Sequence, residues 1–188
     1  KSAQVFEYIQ HAEDYGISVK GADADIKAMV SRSRGVADGM SKGIQFLFKK
    51  NKIDLIKGFA KLAKGKKLMV TDESGLTTEV AATNIIIATG GRSKELPNLP
   101  QDGKKIIGYR DAMVLDKQPK KMVIVGSGAI GVEFAYYYNA IGTEVTVVEY
   151  LPNIVPNEDI DVSKTLEKSF KKKGIKVMTN SSVESVDT

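Results

Sequence analysis

Met122-Val-Ile-Val-Gly-Ser-Gly-Ala-Ile-Gly-Val-Glu133, followed by Val145-Thr-Val-Val-Glu149, decides the fold. The order is strand, glycine-rich turn, helix, strand, acid. Gly126 permits a tight turn out of the first strand. Gly128 lacks a side chain, so the backbone there can approach a pyrophosphate. Gly131 lets the helix pack closely on the sheet. The helix start supplies free N–H groups and a partial positive charge to phosphates. Glu149 closes the second strand, where its carboxylate can accept hydrogen bonds from both ribose hydroxyls of an adenosine. A 2′-phosphate would meet that negative charge, and no arginine pair follows, only Tyr150, Leu151 and Pro152. The pattern therefore predicts a dinucleotide site that takes NAD in preference to NADP.

Composition sets the limits around this site. Of 188 residues, 42% are hydrophobic and 27% charged, the balance of a soluble globular protein. No apolar run approaches the ~20 residues of a membrane-spanning helix, so no membrane partner is expected. There is no cysteine, so this chain holds neither a disulfide nor a redox thiol. The net charge is +5, and nine lysines fall between Lys42 and Lys67. They alternate with apolar residues and have no interleaved arginine. They read as a solvated face, and no nucleic-acid partner is expected.

Outward from the glycine loop, the spacing predicts an α/β fold. Ser2–Tyr15 reads as an amphipathic helix closed by Gly16. Ala22–Lys50 reads as a long second helix, with Ile26, Met29, Val30, Val36, Met40, Ile44 and Leu47 at helical spacing. Asp23 or Asp25 suits its start, and Gly35, Gly39 and Gly43 mark close packing or a bend. Ile53–Phe59, Lys67–Thr71, Leu76–Ala81 and Asn84–Ala88 read as short strands, with a hairpin turn at Glu73–Gly75. A short helical turn is expected at Asp111–Leu115. A second unit opens near Pro119, with a helix over Ala129–Ile141. A further helix at Ile160–Lys172 leads to a parallel strand at Ile175–Thr179, and another strand starts at Val183–Val186. The second unit looks unfinished and the first begins directly in a helix, so both ends read as cuts within a larger protein.

Asn84-Ile-Ile-Ile-Ala-Thr-Gly-Gly-Arg92 resembles the second flavin-contact motif of flavoproteins with two dinucleotide domains, the pyridine nucleotide-disulfide oxidoreductase family. The spacing to the second glycine motif also fits that family. Gly43–Ala60, Ala129–Ala135 and Gly142–Glu149 are similar to its dihydrolipoamide dehydrogenase branch. The resemblance covers essentially the whole chain. It implies parts of two Rossmann-like dinucleotide-binding domains, a partial FAD-binding domain over 1–116 and a partial NAD-binding domain over 117–188.

The resemblance also implies roles. Gly58 and Ala60 fall where the family's backbone contacts the adenine end of FAD, and Thr89, Gly90 and Gly91 fall on the flavin contact. Gly126, Ser127, Gly128, Ala129, Ile130, Gly131 and Glu133 match the NAD loop and its helix. Glu149 matches the ribose acid and Val183 the lining of the adenine pocket. Ile130 is aliphatic where glutathione reductases carry a gating tyrosine. Lys1 matches a lysine beside the flavin ring that pairs with Glu133 near the nicotinamide. The family's first flavin fingerprint, redox cysteines, dimer domain and His–Glu pair have no counterpart in this chain. His11, the only histidine, reads as a surface or packing residue.

The implied parent is a cytoplasmic, homodimeric enzyme. It passes electrons from dihydrolipoamide through a disulfide and FAD to NAD⁺, and meets the lipoyl domain of a 2-oxo acid dehydrogenase complex or glycine cleavage system. This segment alone is expected to be inactive. A mercuric or glutathione reductase, an NADH oxidase, or a non-catalytic NAD(H)-binding module are the other readings.

Overall fold

The structure, a computed structural model, describes residues 1–187. They pack as two units, one formed by Lys1–Ser33 with the residues from Ser93 on, the other by Arg34–Arg92. This division of packing is a separate matter from the expected division by cofactor at 116/117.

In the first unit, β4 (Lys121–Val125), α4 (Ala129–Ala140), β5 (Glu144–Val148), α5 (Ile160–Lys172) and β6 (Lys176–Met178) alternate along the chain. The three strands form one parallel sheet in the order β4-β5-β6, with Val123 opposite Thr146 and Val147 opposite Val177. Parallel neighbours need crossover connections, which α4 and α5 supply. This is the Rossmann-type half expected from the sequence. The bounds of α4 and α5 fall within one residue of those read from the periodicity, whereas the helix expected over Ser2–Tyr15 breaks at His11 into Ser2–Gln10 and a 3-10 turn at Ala12–Tyr15, and the helix expected from Ala22 begins at Ile26. Asp159 caps α5 by accepting the Asp161 N–H at 2.8 Å.

The core of this unit sits between α4 and β5. Ala135, Tyr138, Val145, Val147, Ile154, Phe170 and Ile175 are buried there, joined by Phe6 from α1 (Ser2–Gln10). Tyr138 is only 1% exposed, and its hydroxyl donates to the carbonyl of Ala112, the last residue of α3 (Tyr109–Ala112), at 2.5 Å. Burial pushes its phenol up to about 12. Beyond the end of α4, Gln118 donates to the Ile141 carbonyl at 2.7 Å and the Thr143 hydroxyl to the Pro119 carbonyl at 2.8 Å. These bonds fix the corner from which β5 departs.

The long helix α2 runs unbroken over Ile26–Lys50. Asp25 caps it, accepting the Ala28 N–H at 3.1 Å. Its start, Ile26, Met29 and Val30, packs on the first unit's core. Farther along, Val36, Met40, Ile44 and Leu47 are exposed, contrary to the buried stripe expected of them. No protein atom lies within 4 Å of the place a Cβ would take at Gly35, Gly39 or Gly43, so these glycines answer no packing need here.

The second unit also holds an antiparallel meander, β1 (Phe59–Ala63), β2 (Lys67–Thr71) and β3 (Thr77–Ala81). The β2–β3 turn is held by Asp72, whose Oδ1 accepts from Ser74 N, Ser74 Oγ and Leu76 N. Among the described residues, three expected strands are missing. After α2 the Ile53 N–H still bonds the Phe48 carbonyl, so 53–58 leaves a helix end and only Phe59 enters a strand. Asn84–Ala88 joins no sheet, and Ile86 is 91% exposed. Val183–Val186 likewise forms no strand. A β-branched run becomes a strand only beside a neighbour that accepts its N–H groups.

The packing contrast is testable. Phe170→Ala removes a ring that is 3% exposed and should cost about 3–5 kcal/mol in a urea melt followed by circular dichroism. Phe46→Ala, at a side chain 66% exposed, should stay within about 0.5 kcal/mol in the same melt.

Candidate functional site: the glycine loop and its buried acid

The C-terminal ends of β4 and β5 lie side by side because the two strands are parallel neighbours in register. The loop leaving β4 and the acid leaving β5 therefore meet. Gly126 takes φ +100 and donates its N–H to the Val148 carbonyl at 2.8 Å, turning the chain off the sheet. Gly128, in extended conformation, is the N-cap of α4. Open space stands where its Cβ would be, so a ligand can come against bare backbone. Ala129, Ile130 and Gly131 form the first turn, whose N–H groups have no partner within the helix. A Cβ on Gly131 would lie 2.1 Å from the Gly126 carbonyl oxygen. Only glycine fits there, and that contact folds the helix start back over the turn.

Glu149 is 7% exposed and Ser127 is fully buried. Glu149 Oε2 accepts the Ser127 N–H at 2.8 Å and the Ser127 hydroxyl at 2.6 Å, while Oε1 accepts the Leu151 N–H at 2.9 Å. The backbone of Glu149 is held as well, its N–H on the Met178 carbonyl and its carbonyl taking the Ser181 N–H. Burial raises the carboxyl pKa, but the N–H groups of Leu151, Ser127 and Tyr150 and the Ser127 hydroxyl outweigh it and hold the group below its ordinary 4.5. Glu149 is thus an ionised, pre-positioned acceptor at the loop. Its bond to Ser127 was not expected, since residue spacing does not show which side chain a strand-end acid will meet.

Glu133 projects from α4 as an exposed residue. It shares a shallow hollow between α4 and α5 with Tyr136, Ser169 and Lys173. Lys1, exposed at the start of α1, donates to Gln4 Oε1 at 2.9 Å, and no ion pair joins it to Glu133 among the described residues. The physical reason is local: the ammonium finds an acceptor one helical turn away. The tie between α1 and α4 is made elsewhere. Tyr136 donates to Glu7 Oε2 at 2.7 Å, Lys173 donates to Glu7 Oε1, and the Lys173 ammonium lies 5.6 Å from the Tyr136 ring centre. Burial and the Glu7 carboxylate together push the Tyr136 phenol up to about 12. His11 stays on the surface, 3.9 Å from Asp14.

Apart from Lys1, the residues matched to a flavin lie in the other unit. Gly58 packs against β2, where a Cβ would fall 2.6 Å from the Thr71 carbonyl oxygen, so folding alone accounts for glycine there. Ala60 pairs with Val70 in the meander. Thr89, Gly90 and Gly91 are exposed, with Gly90 at φ +77. Val183, half-buried in the first unit, gives its carbonyl to Asn98 Nδ2 at 2.7 Å.

Residues 4–188 match the pyridine nucleotide-disulphide oxidoreductase family model. The chain belongs to that family. It is 40% identical over 186 residues to a dihydrolipoyl dehydrogenase of Zymomonas mobilis, covering 99% of this chain and 40% of the relative. It is 36% identical over 188 residues to a leghemoglobin reductase of Vigna unguiculata, covering 100% of this chain and 36% of that protein. The solved structure of LpdA from Mycobacterium tuberculosis superposes with a TM-score of 0.88 at 27% identity, covering 98% of this chain and 41% of that one. The chain thus spans about two fifths of the length of its family relatives. The family uses FAD and NAD. Among the described residues no helix is long and apolar enough to cross a membrane.

Two outcomes follow from the loop geometry. Gly131→Ala forces backbone apart at Gly126 and should destabilise the protein by about 1–3 kcal/mol in a thermal melt. Because the folded pKa of Glu149 is lowered, its contribution to stability is present above its ordinary 4.5 and is lost as pH falls through the lowered value. Glu149→Gln should therefore flatten part of the stability loss that sets in as pH falls below that ordinary value, in denaturation measured against pH.

Proposed function

We propose that this chain is the central segment of an NAD-linked dihydrolipoyl dehydrogenase. The observation that carries the reading is the buried Glu149 carboxylate, bonded to the glycine loop at the helix start. Phosphates suit the free N–H groups of Ala129, Ile130 and Gly131 and the open backbone at Gly128. Glu149 accepts from the adenosine ribose and repels a 2′-phosphate, which selects NAD. Val183 lines the adenine end. Ile130, more than half exposed at the mouth of the loop, leaves the way to the nicotinamide clear of an aromatic gate.

The flavin side rests on the resemblance. Gly58, Ala60, Thr89, Gly90 and Gly91 would offer backbone to FAD, which when bound supplies the redox chemistry between a disulfide and the nicotinamide. Lys1 would stand beside the flavin and pair with Glu133, an arrangement that requires Lys1 to leave Gln4. An adjacent ammonium favours negative charge. This chain has no cysteine, so the dithiol chemistry falls to residues other than these 188. In the same reading the parent is a cytoplasmic homodimer that meets a lipoyl domain, and the boundary near 116 divides the FAD from the NAD portion. The 36% identity to a leghemoglobin reductase supports a second reading, in which the acceptor or donor other than NAD differs.

The test uses the full natural protein with FAD. It should reduce NAD⁺ with dihydrolipoamide, followed by NADH absorbance, and use NADP⁺ poorly. Glu149→Ala should raise the KM for NAD⁺ about tenfold or more and narrow the preference over NADP⁺. Absence of dihydrolipoamide turnover with intact NADH binding would favour the second reading.

A further inference from the structure

The acceptor positions of Glu149 are already mostly taken. An ionised carboxylate offers about four lone-pair positions, two on each oxygen. Ser127 takes both on Oε2, through its N–H at 2.8 Å and its hydroxyl at 2.6 Å. Leu151 N–H takes one on Oε1 at 2.9 Å. The Tyr150 N–H also bears on the carboxylate, so at most one position remains, whereas an adenosine ribose presents two hydroxyls. Both can bond Glu149 only if one present donor withdraws. The N–H groups of Ser127 and Leu151 are fixed by the backbone, and the Ser127 carbonyl is further pinned by the Val155 N–H at 3.0 Å. The Ser127 hydroxyl is the donor free to rotate. It is fully buried, so turning away gives up its Glu149 bond out of reach of water, which is costly.

We propose that Ser127 is a specificity-determining residue of the NAD site, its hydroxyl competing with the adenosine ribose for Glu149 and limiting that acid to one ribose hydroxyl. This rests on the NAD reading above. Spacing within the glycine motif does not reveal it, because the residue between Gly126 and Gly128 is unconstrained by the turn itself. An alanine there keeps the backbone N–H bond, removes the competing donor and returns one position on Oε2 to the ligand.

The experiment is equilibrium titration of the full natural protein with NADH and with two analogues, one lacking the adenosine 2′-hydroxyl and one lacking the 3′-hydroxyl. In the wild type, only one of the two deletions should weaken binding. In Ser127→Ala, NADH should bind about fivefold tighter or more, and both deletions should weaken it. Ser127→Cys keeps much of the side-chain volume with a far weaker donor and should follow the alanine variant; it decides the matter if Ser127→Ala does not fold by circular dichroism. If the folded variants bind NADH no more tightly than wild type, with the same dependence on one hydroxyl, the inference is overturned and the NAD site stands. If the wild type binds no NADH, the NAD reading itself fails and this inference with it.

Discussion

A buried carboxylate has to be paired, and the pairing of Glu149 orders everything around the loop. At 7% exposure water alone cannot satisfy its side chain, and the chain supplies donors from two directions. Ser127 comes from the end of β4 and Leu151 from the turn after β5. Those bonds require β4 and β5 to be parallel neighbours, since only then do their C-terminal ends coincide. The parallel pairing in turn requires α4 to cross over, and α4 can begin close enough only because residue 131 is glycine. The acid, the sheet order and the glycine are one constraint seen at three places.

How much of this was readable from sequence depends on the range of the interaction. The helices α4 and α5 and the strand β5 announce themselves through local periodicity, and the glycines through a turn that spans six residues. The strand expected at Asn84–Ala88 is rich in β-branched residues, as β5 is, yet it remains unpaired. Composition describes a segment, whereas a strand is a relation between two segments. The stripe Val36, Met40, Ile44 and Leu47 makes the same point for α2: helical spacing predicts the helix, but not which part of its apolar face finds a surface to cover it.

The site divides in the same way. Gly126, Gly128, Gly131 and Glu149 were legible because each has a backbone or charge requirement set by the motif. The roles of Gly58 and Lys1 were suggested by likeness alone, and local physics gives each another explanation. Gly58 is demanded by the close approach of the Thr71 carbonyl, and Lys1 is satisfied by Gln4. Neither explanation conflicts with cofactor contact, because a glycine packed on one side still offers backbone on the other and an exposed ammonium exchanges acceptors readily.

The cluster of Glu7, Tyr136 and Lys173 bears on that last point. It joins residues more than a hundred positions apart in sequence, and no spacing rule anticipates it. Glu7 lies on α1 and Tyr136 on α4, so the bond fixes one point of contact between those helices. Lys1 lies six residues before Glu7, about 9 Å along the helix axis, and Glu133 lies three before Tyr136, about one turn. The tie therefore restrains the two backbones that carry Lys1 and Glu133 while leaving both side chains exposed and free of each other. The Lys1 ammonium rests on Gln4, and the Glu133 carboxylate stands exposed on α4.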